Sequence, residues 1–405
     1  MTLKPYVDLR LDLSEAGVER CARQGDHTDL EASFTRWMVQ HADELRPYLE
    51  PGPVDVVEAN DLHAGLIRLL DRDGWMRVGW PEEVGGTGGD IVQRATIYDL
   101  LGRGGVAIPE RLYPLEILGP TLLSFAPDMA KEMLPAYLAG DEFWCQGFSE
   151  PEAGSDLASL RCRAEEVSDG FIVRGQKIWT SNAQLSTRCM LLARTGEPDS
   201  RHQGLTMFMV DLDSPGVEIR TIRAATGEDQ LCEVFFDHVH VPSDRVIGEV
   251  NGGWAVTMYL LQFERSMYAW MRQAVLHERV HHILEQLPAD RVAPFDRIGE
   301  LYLAVSSLRT RSLRTVERLA SGDFLGPEVS VDKLLLSTAE QLACDVAREA
   351  LFPLLETGEG EWADYWRSSW YFSRAASILG GTSEIQKGIV AQRLLGMPRE
   401  EPRGR

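Results

Sequence analysis

The sequence predicts an α+β fold in three parts: a helical N-terminal domain over residues 1–142, a central β-barrel or β-sandwich domain over 143–247, and a C-terminal four-helix bundle over 248–405. Three observations predict it. A chain of 405 residues is long for one hydrophobic core, which favours several domains. Apolar residues recur at helical spacing in the first and last parts, whereas the middle part consists of short β-type segments separated by turn formers.

The elements of the second and third parts follow from these patterns. The central segments are short and rich in β-branched and aromatic residues. They cover residues 171–175, 189–195, 205–212, 217–222 and 233–241. After Gly252, long amphipathic segments with short links are typical of a helix bundle. They cover about 254–286, 290–321, 331–354 and 367–395.

The charge balance excludes one class of partner. The chain has 41 Lys and Arg residues against 62 Asp and Glu residues, a formal net charge of -21. This balance argues against nucleic acid as a partner and provides no long-range attraction for an anionic substrate. An anionic ligand would therefore need a local basic group.

The cysteines and the N-terminal segment predict a cytoplasmic protein. The cysteines are scattered without a CxxC pair, so we expect reduced thiols and no metal cluster. They are Cys21, Cys145, Cys162, Cys189, Cys232 and Cys344. The first residues, MTLKPYVDLRLDLSEAG, lack the apolar core of a signal peptide, and no segment reaches the ~20 apolar residues of a membrane span.

A strand that runs into an exposed loop is predicted at residues 144–160, WCQGFSEPEAGSDLASL. Polar and apolar residues alternate at first, and Pro151 and Gly154 then break the pattern among small side chains. Ser149, Ser155 and Ser159, with the intervening N–H groups, would donate hydrogen bonds to the carbonyl oxygens of a flat ligand or to a pyrophosphate. An ordinary turn between strands is the alternative.

A second candidate ligand-binding segment is GQKIWTSNA, residues 175–183. Trp179 would cover one face of a planar cofactor, while Thr180 or Ser181 would hydrogen-bond to its edge. Alternatively, Trp179 is a core aromatic that precedes a polar turn.

The glycine-rich segment GWPEEVGGTGGD, residues 79–90, does not fit a dinucleotide-binding fingerprint. Gly86 and Gly88 provide a GxG, but Ile91 stands at the third glycine position and no βαβ pattern follows. We predict a structured loop between helices.

The order of these motifs resembles the acyl-CoA dehydrogenase family of flavoenzymes. WCQGFSEPEAGSDLASL is followed about twenty residues later by QKIWTSNA, inside a β segment flanked by helices. The resemblance extends over nearly the whole chain. Further matching segments are WPEEVGGTGG (80–89), MLPAYLAGDEF (133–143), VFFDHVHVPSDRVIGEVNGGW (234–254) and ILGGTSEIQKGIVAQRLLGMPR (378–399).

The resemblance implies FAD bound between the last two domains and near a neighbouring subunit. It also implies the residues that line the site. On this chain they are Phe148, Ser149, Gly154, Ser155, Trp179 and Ser181, with Ser181 where the family usually has threonine. Thr382 and Glu384 match positions that reach the flavin of the adjoining subunit.

The reaction of the family requires a carboxylate base that this chain lacks at the usual position. A proton leaves the α carbon of an acyl thioester and a hydride passes from the β carbon to flavin N5, so the site needs a base and donors to the carbonyl oxygen. The best-known members have a glutamate immediately before the GTS motif, where this chain has Gly380. The Gly380 N–H still provides a donor to the thioester carbonyl.

Glu264 is the candidate base. In LLQFERSMYAW, residues 260–270, it shares a helical stripe with apolar residues three, four and seven positions away, whereas Arg265 is rotated by ~100°. A carboxylate on an apolar stripe is expected to be desolvated, which raises its pKa and suits a general base. The resemblance supports this position, because isovaleryl-type and actinobacterial steroid side-chain enzymes place their base on this helix. The alternative is a buried glutamate that serves packing alone.

Two other functions stay open at this stage. Without a glutamate at Gly380, the chain could be a non-catalytic or FAD-deficient subunit of a hetero-oligomeric dehydrogenase. The family's Arg-x-x-Phe-Gly segment is also unclear in residues 284–301. His277, Glu278 and His281 form a literal HExxH, the zinc-hydrolase motif, but no HxxGxxH continuation follows.

The resemblance also implies the partners. The substrate would be an acyl-CoA, with a branched or sterol-derived acyl group preferred and a carrier-protein thioester as an alternative. The electron acceptor would be electron-transferring flavoprotein or a similar protein. The assembly would be a homodimer, a homotetramer or a heterotetramer.

Overall fold

The computed structural model describes residues 29–289 and 292–398. Its first part is helical, as predicted; residues 1–28 of the predicted N-terminal domain, with Cys21, lie outside the described residues. The helices are α1 (Asp29–Gln40), α2 (Ala42–Leu45), α3 (Val56–Arg72), α4 (Ile91–Arg103), α5 (Leu112–Phe125) and α6 (Pro127–Leu138). The glycine-rich segment 79–90 is a loop between α3 and α4, as predicted. Asp90 ends it with a capping box, in which its side chain accepts from backbone N–H groups and Gln93 bonds back to the Asp90 N–H.

The central part is one eight-stranded sheet. The strands are β1 (Trp144–Gly147), β2 (Arg163–Val167), β3 (Gly170–Ser181), β4 (Arg188–Arg194), β5 (Leu205–Asp211), β6 (Val217–Ile222), β7 (Leu231–Pro242) and β8 (Val246–Ile247). Their order in the sheet is β6-β7-β3-β2-β4-β5-β8, and β1 pairs in parallel with β4. Strands from both halves of the sheet share one apolar core, in which Phe171 of β3 meets Phe208 of β5 edge to face at 5.0 Å. All five predicted strand segments are confirmed.

The C-terminal part is a helical bundle. Its helices are α7 (Gly253–Glu285), α8 (Phe295–Ala320), α9 (Val329–Ala350), α10 (Leu354–Thr357), α11 (Glu361–Ser373) and α12 (Ser383–Ile389). The first three predicted helices are confirmed. The predicted fourth helix over 367–395 is interrupted: α11 ends at Ser373, a 3-10 turn follows at Arg374–Ser377, and Gly380 and Gly381 then adopt positive φ angles of 64° and 93° that a helix does not accommodate. A turn therefore separates α11 from α12.

Two further observations concern the state of the cysteines and the possibility of a membrane-spanning helix. Cys145, Cys162, Cys189, Cys232 and Cys344 are buried free thiols, as expected from their spacing. Among the described residues, no helix combines the length and the apolar character needed to cross a membrane.

A buried ion pair joins the loop after β1 to strand β3. The Lys177 ammonium is fully buried and donates to the Glu150 carboxylate at 2.8 Å and to the Phe148 carbonyl at 2.9 Å. Glu150 also accepts from the backbone N–H groups of Arg161 (2.6 Å) and Cys162 (2.8 Å). Both ends of the 150–162 loop are therefore held by one carboxylate, and that carboxylate depends on Lys177 for its counter-charge.

We expect Lys177→Met to destabilise the fold strongly, because it leaves Glu150 as a buried charge without its cation. Removing one partner of a buried pair costs about 3–5 kcal/mol. The urea unfolding midpoint, followed by tryptophan fluorescence, measures the change. Lys131→Met is the matched control, since Lys131 forms an exposed pair with Asp128 and such pairs contribute about 0–1 kcal/mol. Equal midpoints for the two variants would contradict this account of the loop.

Candidate active site

The two segments predicted to bind a flat ligand lie side by side. The Ile178 N–H donates to the Ser149 carbonyl at 2.9 Å, so the chain just after β1 pairs with the last part of β3. The Ser149 side chain is half-buried, whereas the Phe148 side chain is packed into the hydrophobic core. The backbone of residues 148–149 thus adjoins Trp179 while the Phe148 ring contributes packing.

Trp179 projects from a distorted part of β3. The ladder between β3 and β7 shifts register between Lys177 and Thr180, and Trp179 adopts a φ of 62°, which is rare for a bulky residue. Its side chain is 52 % exposed, so the alternative of a core aromatic is wrong. Ser181 is also exposed, whereas Thr180 is buried. A large aromatic surface is therefore presented to solvent beside an exposed hydroxyl.

The loop that follows β1 presents free backbone donors. Gly154 and Ser155 are exposed, and within residues 29–289 and 292–398 no acceptor is recorded for their backbone N–H groups. The loop is held from behind by Arg194, which donates to the carbonyls of Ala158 (2.8 Å) and Leu160 (2.9 Å). Two unpaired N–H groups of exposed residues on a fixed loop suit an anionic or carbonyl ligand.

Glu264 lies on the inner side of α7 and contacts the strand that begins the β domain. Its carboxylate is half-buried and accepts a hydrogen bond from the Gln146 amide of β1 at 3.2 Å. Of its predicted stripe, Leu260, Met267 and Met271 are fully buried. The carboxylate is therefore located at the junction of α7 and β1.

The same carboxylate occupies the space beside Gly380. A Cβ built at Gly380 would lie 2.8 Å from Glu264 Oε1, closer than real Cβ contacts. The Gly380 carbonyl accepts from the Gln386 amide at 3.1 Å, which fixes the turn. Its N–H has no hydrogen-bond acceptor among the residues that the structure describes. The turn thus brings a free N–H group and a carboxylate together.

Two basic side chains flank Glu264. Lys333 of α9 donates to the Ala376 carbonyl at 2.5 Å, and its Cε would lie 3.5 Å from the same Cβ at Gly380. Burial lowers the pKa of Lys333, and the negative charge of Glu264 acts in the opposite direction. Burial likewise lowers the pKa of Arg265, with Glu264 again opposing the shift. Two positively charged side chains therefore flank the carboxylate.

Sequence reasoning missed Gln146 and Lys333. Gln146 was within the recognised 144–160 segment, where its position between two inward-facing residues offered a weak signal. Lys333 is a single lysine in an amphipathic helix, and its proximity to Glu264 arises only when α7, α9 and the glycine turn pack together.

Thr382 and Glu384 lie at the start of α12. Thr382 caps α12 by accepting from the Ile385 N–H at 3.2 Å, and Glu384 is exposed in the first turn. α12 packs on α9. A role toward the flavin of an adjoining subunit stays a prediction for both residues.

The HExxH segment lies inside the bundle helix α7. His277 is buried and its Nδ1 contacts the Gln273 carbonyl at 2.7 Å, and burial lowers its pKa to about 3. Within the described ranges, no group of three or more His, Cys, Asp and Glu side chains is placed to hold a metal ion. The zinc-hydrolase alternative therefore gains no support from the structure.

Comparison with known proteins covers all three parts of the chain. Residues 38–141, 145–239 and 251–395 match the acyl-CoA dehydrogenase N-terminal, middle and C-terminal domains, respectively. The chain is 37 % identical over 361 residues to acyl-CoA dehydrogenase IpdE1 of Mycobacterium tuberculosis, covering 86 % of this chain and 91 % of that protein. It is 29 % identical over 349 residues to acyl-CoA dehydrogenase FadE29 of the same organism, covering 83 % and 89 %.

Solved structures share the fold at lower identity. The Tcur3481-Tcur3483 steroid ACAD superposes with a TM-score of 0.76 at 24 % identity, covering 96 % of this chain and all of that one. The glutaryl-coenzyme A dehydrogenase complex with glutaryl-CoA has a TM-score of 0.75 at 19 % identity, covering 100 % and 99 %. The three domain matches and the identity to IpdE1 show that the chain belongs to the acyl-CoA dehydrogenase family of flavin-dependent oxidoreductases.

Proposed function

We propose that the chain is an FAD-dependent acyl-CoA dehydrogenase in which Glu264 removes the α proton of the substrate. The observation that supports it is the placement of the Glu264 carboxylate against Gly380, in the volume that a side chain at 380 would occupy. A base on the facing helix α7, in place of one on the turn, would reach the same substrate carbon from the other side of this volume. The family's need for a carboxylate is then met without a glutamate at 380.

The residues around Glu264 fit this role. Glu264 accepts the proton from the α carbon, and the free Gly380 N–H donates to the thioester carbonyl, where negative charge develops. The Gln146 amide holds one carboxylate oxygen at 3.2 Å and so orients the other. Lys333 and Arg265 lie close enough to the carboxylate for its negative charge to act on both of them. The chemistry that bound FAD would supply is that of the acceptor for the hydride of the β carbon.

The residues of the β domain fit a flavin. Trp179 would cover one face of the ring, and Ser149 and Ser181 would hydrogen-bond to its edge. The unpaired N–H groups of Gly154 and Ser155 would donate hydrogen bonds to the pyrophosphate. This assignment accounts for the exposure of an indole at a strained backbone position, since such strain clusters at ligand sites.

The C-terminal segment supports an oligomer. Several large apolar side chains around Thr382 and Glu384 are exposed, a pattern typical of a contact surface. They are Ile378, Ile385, Leu394, Leu395 and Met397. We propose a homo-oligomer or the catalytic chain type of a heterotetramer, with Thr382 and Glu384 directed to the partner's flavin. FAD content per chain, with one FAD per chain expected for a homo-oligomer, distinguishes the two arrangements.

The substrate and acceptor are proposed on the same basis. One structural neighbour is named a steroid ACAD. Members of the family that place their base on this helix, α7, usually act on branched or bulky acyl groups. We therefore propose a branched or sterol-derived acyl-CoA as the substrate. Electron-transferring flavoprotein is the proposed acceptor, in a cytoplasmic setting. A non-catalytic subunit is the second candidate, favoured only by the glycine at 380.

We expect Glu264→Gln to abolish turnover while FAD remains bound. The amide keeps the size of the side chain but cannot accept the proton, and loss of a general base lowers kcat by about 10²–10⁴-fold. Anaerobic flavin bleaching by a panel of straight, branched and steroid acyl-CoAs measures the effect, with Glu285→Gln at the exposed end of α7 as control. Bleaching by the Glu264→Gln variant at the wild-type rate would refute the assignment.

We expect Gly380→Ala to slow flavin reduction by more than a loss of folded protein would account for. The new methyl group would meet Glu264 Oε1 at 2.8 Å, and the positive φ of 64° costs roughly 1–2 kcal/mol for an L-residue. Displacement of the carboxylate should lower the rate of flavin reduction by about tenfold or more, since geometric misplacement is costly in catalysis. FAD retention, read from visible absorption, should be unchanged.

Gly388→Ala is the matched control for this variant. Gly388 lies in α12 with open space around a new Cβ and no positive φ. Equal reduction rates for the Gly380→Ala and Gly388→Ala proteins would show that the volume beside Gly380 is not used by the base.

A further inference from the structure

One face of α9 carries a row of polar side chains, each four residues after the last. This α9 stripe consists of Lys333, Ser337, Gln341 and Asp345. Because residues four apart are neighbours on a helix surface, the four side chains follow one edge of the helix. All of them form hydrogen bonds with residues 370–377, the end of α11 and the turn that leads to Gly380.

The far end of the α9 stripe holds the last turn of α11. Asp345 accepts from the Trp370 indole N–H and from the Arg374 guanidinium, each at 3.1 Å. The Gln341 amide donates to the Ser373 carbonyl at 3.2 Å. The chain is therefore fixed to α9 up to the point where α11 ends.

The near end of the α9 stripe holds the turn itself. The Ala376 carbonyl accepts from the Lys333 ammonium at 2.5 Å and from the Ser337 hydroxyl at 2.8 Å. The Ala375 carbonyl, one residue earlier, accepts from the backbone N–H groups of 378–379 at 2.8 and 2.9 Å. A doubly bonded carbonyl thus anchors the hydrogen-bonded turn that ends directly before Gly380.

Lys333 also contacts the position of Gly380 from the side opposite to its own anchor. A Cβ built at Gly380 would lie 3.5 Å from Lys333 Cε and 2.8 Å from Glu264 Oε1. The lysine stem and the carboxylate are therefore at most roughly 6 Å apart, the range in which one charge acts on another. One side chain of α9 touches both the anchor of the turn and the volume beside the proposed base.

Packing alone does not account for a lysine here. The side chain is buried, with 6 % of its surface exposed, and burial of an ammonium is unfavourable unless it is paired. Burial lowers the pKa of Lys333, and the negative charges of Glu264 and Glu340 oppose that shift. An apolar side chain of similar length would fill the same space without this cost, so the ammonium indicates a role for its hydrogen bond.

We propose that Lys333 is a positioning residue for the reaction. By holding the Ala376 carbonyl, it sets the place of the Gly380 N–H relative to the Glu264 carboxylate, and Ser337 supports the same carbonyl. The proposal rests on the proposed function, because it takes the Gly380 N–H as the donor to the thioester carbonyl. Lys333 itself does not touch the substrate.

A displaced donor weakens the transition state more than the bound substrate. The thioester oxygen gains negative charge as the α proton leaves, so a donor that is out of line loses most of its effect at that stage. The limiting rate should therefore fall more than the affinity. A general loss of folded protein would instead lower the amount of active enzyme and leave KM unchanged and the carbonyl preference described below intact.

Lys333→Met and Ser337→Ala test the proposal in the holoenzyme. The probe is the acyl-CoA of the straight, branched and steroid panel that reduces the wild-type flavin fastest. We expect the limiting rate of anaerobic flavin reduction, per bound FAD, to fall by about tenfold or more in Lys333→Met, with KM changed by less than about threefold. Ser337→Ala should lower the rate by about threefold, because Lys333 still holds the carbonyl.

Thr338→Ala is the matched control for Ser337→Ala. The two hydroxyls are adjacent on α9, and each donates to the carbonyl four residues before it, at 2.8 Å for Ser337 and 3.0 Å for Thr338. Only the Ser337 hydroxyl also bonds to Ala376. The control should keep the wild-type rate, and equal rates for the two variants would overturn the proposal.

A binding measurement isolates the donor to the carbonyl from the chemistry of the flavin. The ligands are the α,β-unsaturated acyl-CoA product of the same substrate and its thioether counterpart, which lacks the carbonyl oxygen. The wild type should bind the thioester about fivefold more tightly, the contribution of one neutral hydrogen bond. In Lys333→Met this preference should fall to within about twofold, whereas Thr338→Ala should keep it.

A full preference in Lys333→Met, or equal binding of the two ligands by the wild type, would overturn the proposal. Ser337→Ala removes a single buried hydroxyl, so it keeps the test decisive where Lys333→Met does not fold. A Ser337→Ala protein with the wild-type rate and the wild-type preference would then refute the role of the anchored carbonyl.

This proposal and the proposed function fail in distinguishable ways. If Glu264→Gln abolishes turnover while Lys333→Met and Ser337→Ala keep both rate and preference, the role of Lys333 is wrong and the dehydrogenase function stands. If Glu264→Gln reduces its flavin at the wild-type rate while Lys333→Met loses the carbonyl preference, the base is wrongly assigned and the positioning by Lys333 stands.

Discussion

The Glu264 carboxylate and a side chain at position 380 compete for one volume, and the arrangement around it depends on the glycine that leaves this volume free. A Cβ there would lie 2.8 Å from the carboxylate. The positive φ of Gly380, the bonds from Gln386 that fix the turn and the bond from Gln146 to Glu264 are all compatible with that exclusion. A side chain at position 380 and the Glu264 carboxylate in its present place thus exclude each other by packing.

Much of the fold was predictable because the relevant signals are local. The period of the apolar residues separated strands from helices, and the cap at Asp90 marks the end of the glycine-rich loop that sequence alone had placed between helices. The fourth bundle helix was predicted as continuous because apolar spacing on both sides of Gly380 and Gly381 masked the break. Two adjacent glycines with positive φ override that periodicity.

The site was less predictable because its contacts are tertiary. The sequence offered both a cofactor-facing and a core role for Trp179, and the register shift that exposes its indole has no local signature. Lys333 is 69 positions from Glu264 in the chain, and the two meet beside Gly380 only through the packing of α7, α9 and the turn. Residue type identified the base candidate, whereas the charges that surround it required the structure.

A single helix, α7, is contacted by both the β domain and the bundle helix α9 at this site. The β domain contacts α7 at Glu264 through the Gln146 amide, and Lys333 of α9 lies near the same carboxylate. Further along α7, Arg272 and Arg279 both donate to Glu340 of α9 and so tie the two helices together. The carboxylate is held beside Gly380 only when the β domain and α9 both pack on α7, because each supplies a group next to it. Its position therefore depends on the junction of the two domains and not on α7 alone.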